Sequence, residues 1–343
     1  MAGIGNAARH GVLIKGGEHL EKIGRIQTLV LDKTGTLTVG QPELVGLWAL
    51  DGNEEELLRL AGAVEKLSEH PLAKPVAAAA AQKGQLPQVS SFKVLAGRGV
   101  VGVVKGQRMT VGTPRLMVEE GIKIPIPVLK RLDQEEARGR TAVLVAKDTD
   151  IIGALFLADR PRPEAYQLVD QLKQSGIRTV IMLTGDNTGT AEAIAGELGL
   201  DEFYAEMLPE DKVNIIKKLR QRGQVVGMVG DGINDAPALA TADVGIAMGA
   251  AGTDVALETA DLVLMADRLD KLPYAISVSR ATLGNIKQNV VFAVLVVLVL
   301  LIGVLGQKVV LASGMLVHEA SVLMVILNAM RLLRYRPPKH QKN

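Results

Sequence analysis

The sequence predicts an α/β fold with a doubly wound parallel sheet, an inserted α+β domain and a C-terminal pair of apolar helices. The first basis is a set of short β-branched runs, each followed by a stretch of helical period, which is typical of strand–loop–helix units. The runs are residues 26–31, 179–183 and 225–229, and the side chains after them include Asp32, Thr184 and Asp231. Ligands bind beyond the carboxyl ends of such strands, so these three residues are expected to converge.

Asp32 is the candidate nucleophile, because a carboxylate at the tip of a buried strand with small donors beside it suits attack on phosphate. Asp32 and Asp231 would repel each other unless a cation lay between them, and Mg²⁺ suits hard oxygen ligands near a phosphate. Lys212, at the start of a helix predicted over 213–220, and the Thr184 hydroxyl would offset charge on the phosphoryl oxygens. The loop residues Asn234 and Asp235 are expected to hold water or metal in an outer shell.

Residues 44–147 have the character of a separate small domain inserted between the first and second motifs. The segment begins with an acidic helical stretch over 53–67, continues with an alanine-rich one over 72–83, and then forms glycine-spaced strands over 92–111. Gly97-x-Gly99-x-x-Gly102 matches a dinucleotide fingerprint, but a strand rather than a helix is predicted after it, which excludes that interpretation.

The last seventy or so residues change to an apolar character that predicts two membrane helices. The stretches are 290–306 and 309–333, and a buried hairpin of a soluble core is the alternative. Basic residues crowd the C-terminal end against a lone Lys308 in the turn, so both ends of the pair are expected on the cytoplasmic side of a cell membrane. Lipid is therefore an expected partner.

His318 and Glu319 lie inside the second apolar stretch, and such residues in a membrane helix are functional candidates because they are costly there. Imidazole and carboxylate suit Zn²⁺, Co²⁺ or similar divalent ions rather than Cu⁺, so the pair is predicted to bind a transported ion. The alternative is that both side chains sit near the outer interface and are simply hydrated.

Three motifs in fixed order resemble the phosphorylation domain of P-type ATPases, within the haloacid-dehalogenase-like superfamily. They are Asp-Lys-Thr-Gly-Thr-Leu-Thr from Asp32, Thr-Gly-Asp from Thr184, and Gly-Asp-Gly-Ile-Asn-Asp-Ala-Pro-Ala-Leu from Gly230. The resemblance covers nearly the whole chain and implies that Asp32 accepts a phosphoryl group from ATP. It also implies a set of catalytic residues and a Mg²⁺ site. The catalytic residues are Asp32, Lys33, Thr34, Thr184, Gly185, Asp186, Lys212, Asp231, Asn234 and Asp235. The Mg²⁺ ligands are Asp32, Thr34 and Asp231. No Gly-x-x-x-x-Gly-Lys-Ser/Thr occurs, so an ordinary P-loop is excluded.

The insert resembles the nucleotide-binding domain of the heavy-metal branch of these ATPases, which carries Ser-Glu-His-Pro and a glycine-rich strand pair. The resemblance assigns Glu69, His70, Gly97 and Gly99 to ATP binding. His70 taken alone is a surface turn residue, held away from helical geometry by Pro71. Asp159 lies in the proline-containing segment that leads from the insert back to the first domain. The resemblance implies that it contacts nucleotide and helps to form a hinge.

The membrane residues narrow the expected cargo to zinc, cobalt or cadmium. Val296 and Val297 replace the Tyr-Asn of copper pumps, and His318-Glu319 is most similar to the branch with His-Glu-Gly-Gly/Ser-Thr, from which Ala320 and Val322 depart. The expected function is ATP-driven export of a heavy-metal cation. A copper-transporting ATPase, a phosphatase of the same superfamily and an inactive pump fragment are the alternatives; the phosphatase is disfavoured because Thr34 stands where it needs an acid.

Relatives in the family reach the segment around Gly3-Ile4-Gly5-Asn6 directly after a membrane helix, so we expect earlier helices and the actuator domain to lie on a missing N-terminal half. The chain is then a truncated product, a split subunit or a fragment, and we do not expect it to transport alone. The predicted segments are 1–43 and 148–272 (phosphorylation domain), 44–147 (nucleotide-binding domain), 273–335 (membrane helices) and 336–343 (basic tail). A balance of 39 basic against 37 acidic residues offers no case for nucleic acid.

Overall fold

The computed structural model describes residues 1–95, 97–231, 235–249 and 258–336. Two sheets organise these residues, and their strands come from separate stretches of the chain. The predicted Asn234 and most of the basic tail lie outside the described residues.

The first sheet has seven strands in the order β1-β13-β12-β11-β2-β9-β10, and its core is parallel as predicted. The strands are β1 Val12–Ile14, β2 Thr28–Asp32, β9 Thr179–Leu183, β10 Glu202–Tyr204, β11 Val226–Gly230, β12 Val244–Met248 and β13 Leu262–Leu264. Every residue of β2, β11 and β12 is buried, which is the expected state of parallel strands with both faces covered. In the β2/β11 register Leu31 pairs with Val229, so Asp32 and Asp231 end neighbouring strands.

The second sheet has six strands in the order β3-β8-β7-β6-β5-β4, all paired antiparallel. The strands are β3 Glu43–Ala49, β4 Val89–Leu95, β5 Gly99–Val104, β6 Gln107–Gly112, β7 Thr141–Lys147 and β8 Asp150–Ala158. Gly99–Val104 is a strand, as expected when the dinucleotide fingerprint was excluded. Alternation along β7 places Val143 in one core cluster and Leu144 in another, so each face of the sheet carries its own core.

Ten helices among the described residues precede the C-terminal pair. They are α1 Ala2–Arg9, α2 Gly17–Arg25, α3 Glu54–Glu65, α4 Ala73–Ala81, α5 Pro114–Glu119, α6 Ile126–Glu136, α7 Ala165–Gln174, α8 Thr188–Leu198, α9 Pro209–Gln221 and α10 Ala236–Thr241. Their ends follow local chemistry: the Asn53 side chain accepts the Glu56 N–H at 3.1 Å at the start of α3, and Gly199 ends α8 with φ +68°.

The C-terminal pair consists of α11 Lys271–Leu305 and α12 Leu311–Met330, followed by a 3₁₀ turn Arg331–Arg334. Helix α11 begins nineteen residues before the predicted span at 290, because residues from Leu272 to Thr282 bury one face in the protein. Both helices are long and apolar enough to cross a membrane, with mean hydropathy 2.8 and 1.6, and almost none of their apolar windows is buried. The pair therefore fits membrane insertion, and a buried hairpin of a soluble core does not describe it.

Contacts divide the chain into two compact units. The first comprises Met1–Asp32, Gln167–Ile181 and Leu208–Asn343, and the second comprises Lys33–Tyr166 and Met182–Met207. The six-stranded sheet and its helices belong to the second unit. The predicted domain boundaries, including the insert at 44–147, stay predictions; strand β8 continues the six-stranded sheet to Ala158.

Candidate active site

Asp32 ends the buried strand β2 in the first unit, and only 5% of its surface is exposed. Its Oδ1 accepts a hydrogen bond from Lys212 Nζ at 2.6 Å. Burial, together with the negative charge of Asp235, raises the pKa of Asp32 to about 7 although Lys212 opposes the shift. A carboxylate in this setting gains from further positive charge, which a bound cation would supply.

Lys212 lies in the first turn of α9, which begins at Pro209 and so earlier than the predicted 213. Its ammonium also donates to Asp235 Oδ1 at 2.7 Å, so one cation bridges two buried carboxylates. Desolvation opposes the charge on Lys212, but Asp32 and Asp235 outweigh it and the pKa of Lys212 is raised. Lys212 therefore stays protonated and fixes the orientation of Asp32.

Asp231 follows β11 and is partly exposed. Its negative charge contributes to the raised pKa of both Asp32 and Asp235. Oxygen donors of this kind suit Mg²⁺, so the residues fit the predicted ion. Within the described ranges, no group of three His, Cys, Asp or Glu side chains is arranged to hold a metal by itself.

The second unit holds five further predicted catalytic residues, which are Lys33, Thr34, Thr184, Gly185 and Asp186. Lys33 is buried and forms an ion pair with Asp186. The Thr184 hydroxyl donates to Asp186 Oδ2 at 3.0 Å and accepts the Asp186 N–H at 3.0 Å, so Thr-Gly-Asp closes on itself. Gly185 lies close to Met207, since a Cβ added to Gly185 would be 3.4 Å from the Met207 carbonyl oxygen. Thr34 has an extended backbone and is partly exposed.

Asp159 is bound to the segment that leaves the first motif. Its Oδ2 accepts from the Thr38 hydroxyl at 2.5 Å and its Oδ1 from the Gly40 N–H at 3.0 Å. Arg162 joins the same connection, since its guanidinium donates to the carbonyls of Gly35 at 3.0 Å and Thr38 at 3.1 Å. The sequence prediction missed Arg162, although its place in Asp159-Arg160-Pro161-Arg162 was a signal that it acts with Asp159.

Four of the predicted nucleotide residues lie in two turns of the second unit, one after α3 and one between β4 and β5. Glu69 and His70 are exposed in the turn after α3, and His70 Nδ1 accepts the Leu72 N–H at 3.2 Å. Partial desolvation of its ring lowers the pKa of His70. Gly97 and Gly99 form the β4/β5 turn, both with positive φ, and α3 packs on β5 where Val64 meets Gly102.

Glu65 is a second candidate that the sequence prediction missed. It lies at the end of α3, five residues before His70, and burial raises the pKa of its carboxyl to about 7. The sequence did carry a signal, because Glu65 falls on the same face as the buried Leu58 and Ala61 at helical spacing. A desolvated carboxyl beside the His70 turn marks it as a candidate binding residue.

His318 and Glu319 are both exposed on α12. The Ser321 hydroxyl donates to the His318 carbonyl at 2.6 Å. The two side chains have no further His, Cys, Asp or Glu partners forming a metal-binding group among the described residues. Their predicted role as ligands of a transported ion stays a prediction.

The chain is similar to known proteins over most of its length. Residues 26–243 match the family model described as haloacid dehalogenase-like hydrolase. A probable cadmium-transporting ATPase of Alkalihalophilus pseudofirmus is 41% identical over 98% of this chain and 47% of its own length. A manganese-exporting P-type ATPase of Mycobacterium bovis is 43% identical over 98% of this chain and 47% of its own length.

Solved structures give the same result. A zinc-transporting PIB-type ATPase in the E2.Pi state superposes with a TM-score of 0.78 and 42% identity, over 97% of this chain and 54% of that one. The catalytic domain of the CPx-ATPase CopB-B has a TM-score of 0.63 and 32% identity, over 79% of this chain and 97% of that one. The chain thus spans about half the length of the curated relatives it matches. It belongs to the haloacid dehalogenase-like hydrolase family, and the relatives that it resembles there are metal-transporting P-type ATPases.

Proposed function

We propose that this chain carries the phosphorylation and nucleotide-binding functions of an ATP-driven heavy-metal exporter, with Asp32 as the phosphorylated residue. One observation carries the proposal: a buried carboxylate at the end of a parallel strand is held at 2.6 Å by a lysine that also binds a second buried carboxylate. The names of the relatives, cadmium-transporting and manganese-exporting ATPases, support the same activity.

In the proposed step, an Asp32 carboxylate oxygen attacks the γ-phosphorus of ATP. The new bond joins this oxygen to phosphorus, and the bond from phosphorus to the bridging oxygen breaks, so that ADP leaves with the electron pair. Lys212 holds Asp32 in the orientation for attack and lowers the cost of the negative charge. Lys33, Thr34, Thr184, Gly185, Asp186, Asn234 and Asp235 are proposed to complete this site.

Asp32, Thr34 and Asp231 are proposed to hold Mg²⁺. When bound, the ion would offset negative charge on the carboxylates and on the phosphate. The raised pKa of Asp32 supports this, because Lys212 alone does not compensate the buried charges.

The turn of Glu69 and His70 and the β4/β5 glycine turn are proposed to bind ATP. The Leu72 N–H occupies His70 Nδ1, which leaves Nε2–H as a donor for the ligand. Asp159 is proposed to set the hinge between this region and the phosphorylation segments, through its bonds to Thr38 and Gly40.

The proposed cargo is a divalent transition-metal ion, zinc, cobalt or cadmium, with His318 and Glu319 among its ligands. The proposed location is a cell membrane, with lipid around α11 and α12 and the two sheets on the cytoplasmic side. Because the chain spans about half of its relatives, transport is proposed only together with the segments that complete them.

Incubation of the full chain with γ-labelled ATP and Mg²⁺, followed by acid quench, tests the proposal. We expect acid-stable label that is lost on treatment with hydroxylamine, because an acyl phosphate is cleaved by that nucleophile. Asp32→Asn should abolish the label, and Asp201→Asn, on an exposed loop, should leave it unchanged. Label that survives Asp32→Asn would refute the assignment.

A further inference from the structure

Helix α1 is packed directly against α11 and against the turn that follows α12. Gly3 approaches α11 so closely that an added Cβ would lie 2.3 Å from the Thr282 hydroxyl oxygen. Asn6 and Ala7, one turn later, are fully buried. This face of α1 therefore has a fixed position on the ends of both C-terminal helices.

Asn6 is only 1% exposed, and both its amide nitrogen and its amide oxygen form hydrogen bonds in this contact. Its Nδ2 donates to the Leu332 carbonyl at 2.6 Å and to the Tyr335 carbonyl at 3.1 Å, and its Oδ1 accepts the Tyr274 hydroxyl. The Leu332 carbonyl also accepts the Tyr335 N–H at 3.2 Å, so Asn6 gives it a second donor. Asn6 is 326 positions from Leu332 and 329 positions from Tyr335 in the sequence.

The Tyr274 ring is held from the other side by His10. The two ring centroids are 4.7 Å apart, and His10 Nδ1 lies 3.0 Å from the tyrosine hydroxyl. Tyr274 is in the first turn of α11, so Asn6 contacts the beginning of one C-terminal helix and the end of the other.

The middle of α11 is also joined to the end of α12, by a closed ring of asparagines. Asn285 donates to the Asn328 carbonyl at 3.0 Å, Asn328 donates to Asn289 Oδ1 at 2.8 Å, and Asn289 donates to Asn285 Oδ1 at 3.1 Å. Amide groups in an apolar helix pair are costly unless they bond to one another, so this ring fixes the register of α11 and α12.

We propose that Asn6 is a positioning residue whose two amide donations fix the turn after α12 to α1, so that α1, the first half of α11 and the end of α12 move as one body. An ordinary helix cap would only complete the last turn of its own helix. Asn6 instead belongs to a helix that leads through β1 and α2 into the strand of Asp32. The consequence is a direct mechanical path between the helix pair and that strand.

The absence of cysteine from the chain allows clean spin labelling. Ala8→Cys on α1 and Leu327→Cys on α12 are exposed sites for one pair of labels, and Glu18→Cys and Arg222→Cys form a reference pair away from the contact. Double electron–electron resonance on the full chain in lipid nanodiscs gives the distance distribution for each pair. The parent should give a single narrow peak for both.

Asn6→Asp keeps the acceptor for Tyr274 but removes both donors, and Asn6→Leu removes the amide without adding charge. In both variants we expect loss of the narrow Ala8–Leu327 peak while the reference peak stays narrow. Tyr274→Phe and Arg9→Ala, which leave the donations intact, should retain the narrow peak. A narrow peak in Asn6→Asp, equal broadening by Tyr274→Phe, or broadening of the reference pair in both Asn6 variants would each overturn the proposal.

Discussion

The pKa values of single buried carboxyls in this chain depend on desolvation as much as on neighbouring charges. Asp32 and Glu65 both have a carboxyl pKa raised to about 7, and burial is the largest cause in each. They differ in what surrounds them, because Asp32 is paired with Lys212 whereas Glu65 forms no ion pair with any residue that the structure describes. Burial alone therefore identifies a candidate site residue, and the partner indicates its chemistry.

Glu65 should make folding stability depend on pH. Its carboxyl pKa rises from 4.5 in the unfolded chain to about 7 in the fold, so its protonated form is favoured by folding. That contribution is complete below about pH 4.5 and is lost as the pH rises through about 7, by up to roughly 3 kcal/mol. Glu65→Gln, which cannot ionise, should lose this pH dependence and be more stable than the parent at pH 8.

Denaturant unfolding of the full chain in mild detergent, over a series of pH values, measures this effect. Glu54→Gln, at an exposed carboxyl of the same helix, is the matched control and should follow the parent. Parallel pH profiles for Glu65→Gln and the parent would contradict the prediction.

Among the elements, the β4/β5 turn contains two glycines, and a glycine can be required by backbone geometry rather than by ligand binding. Gly97 and Gly99 were both predicted to bind ATP, and both have positive φ, +70° and +147°. An added Cβ at Gly97 meets nothing within 4 Å, but at Gly99 it would lie 2.2 Å from the Val111 carbonyl. Gly99 is thus required by strand pairing, whatever its part in binding.

We expect Gly97→Ala and Gly99→Ala to differ sharply in stability. Gly97→Ala places a side chain in the left-handed region and should cost about 1–2 kcal/mol, whereas Gly99→Ala also forces β5 and β6 apart and should cost more. Thermal unfolding of each variant, with ATP titration by calorimetry, separates folding from binding. Equal stability losses in the two variants would show that the β5/β6 approach is not the constraint.

At the scale of the whole molecule, two exposed apolar helices determine that the chain is stable in a lipid environment. Val291, Leu298 and Ile302 are 59%, 48% and 69% exposed on α11, in a stretch with no charged residue. Such a surface is stable in lipid but not in water. The same helix buries its first part in the protein, so one continuous helix serves both environments.

A charge at the middle of this stretch should reduce membrane insertion. Leu298→Lys should weaken insertion by about 2.5–3.5 kcal/mol, because the ammonium must enter the hydrocarbon region. Alkaline extraction of membranes from cells that express the chain measures the inserted fraction. Leu298→Ala is the control for lost apolar volume, and unchanged extraction of Leu298→Lys would show that this segment does not span the bilayer.

The sequence by itself determined the fold class, the family and the two apolar helices. The reason is that these depend on patterns local in the chain: buried β-branched runs, fixed motifs such as Asp-Lys-Thr-Gly, and apolar length. It also placed Asp32 and Asp231 at strand ends, because parallel strands present their carboxyl ends at one edge.

Only the tertiary structure determined which side chains form hydrogen bonds and ion pairs with each other, and which carboxyl is desolvated. Lys212 bridges Asp32 and Asp235, Arg162 holds the carbonyls of Gly35 and Thr38, and Glu65 loses solvent. These effects depend on distances between residues far apart in sequence and on the exclusion of water, neither of which a linear pattern records. For the same reason Asn6, to which the sequence analysis gave no role, acquired its two distant carbonyl partners only in the folded chain.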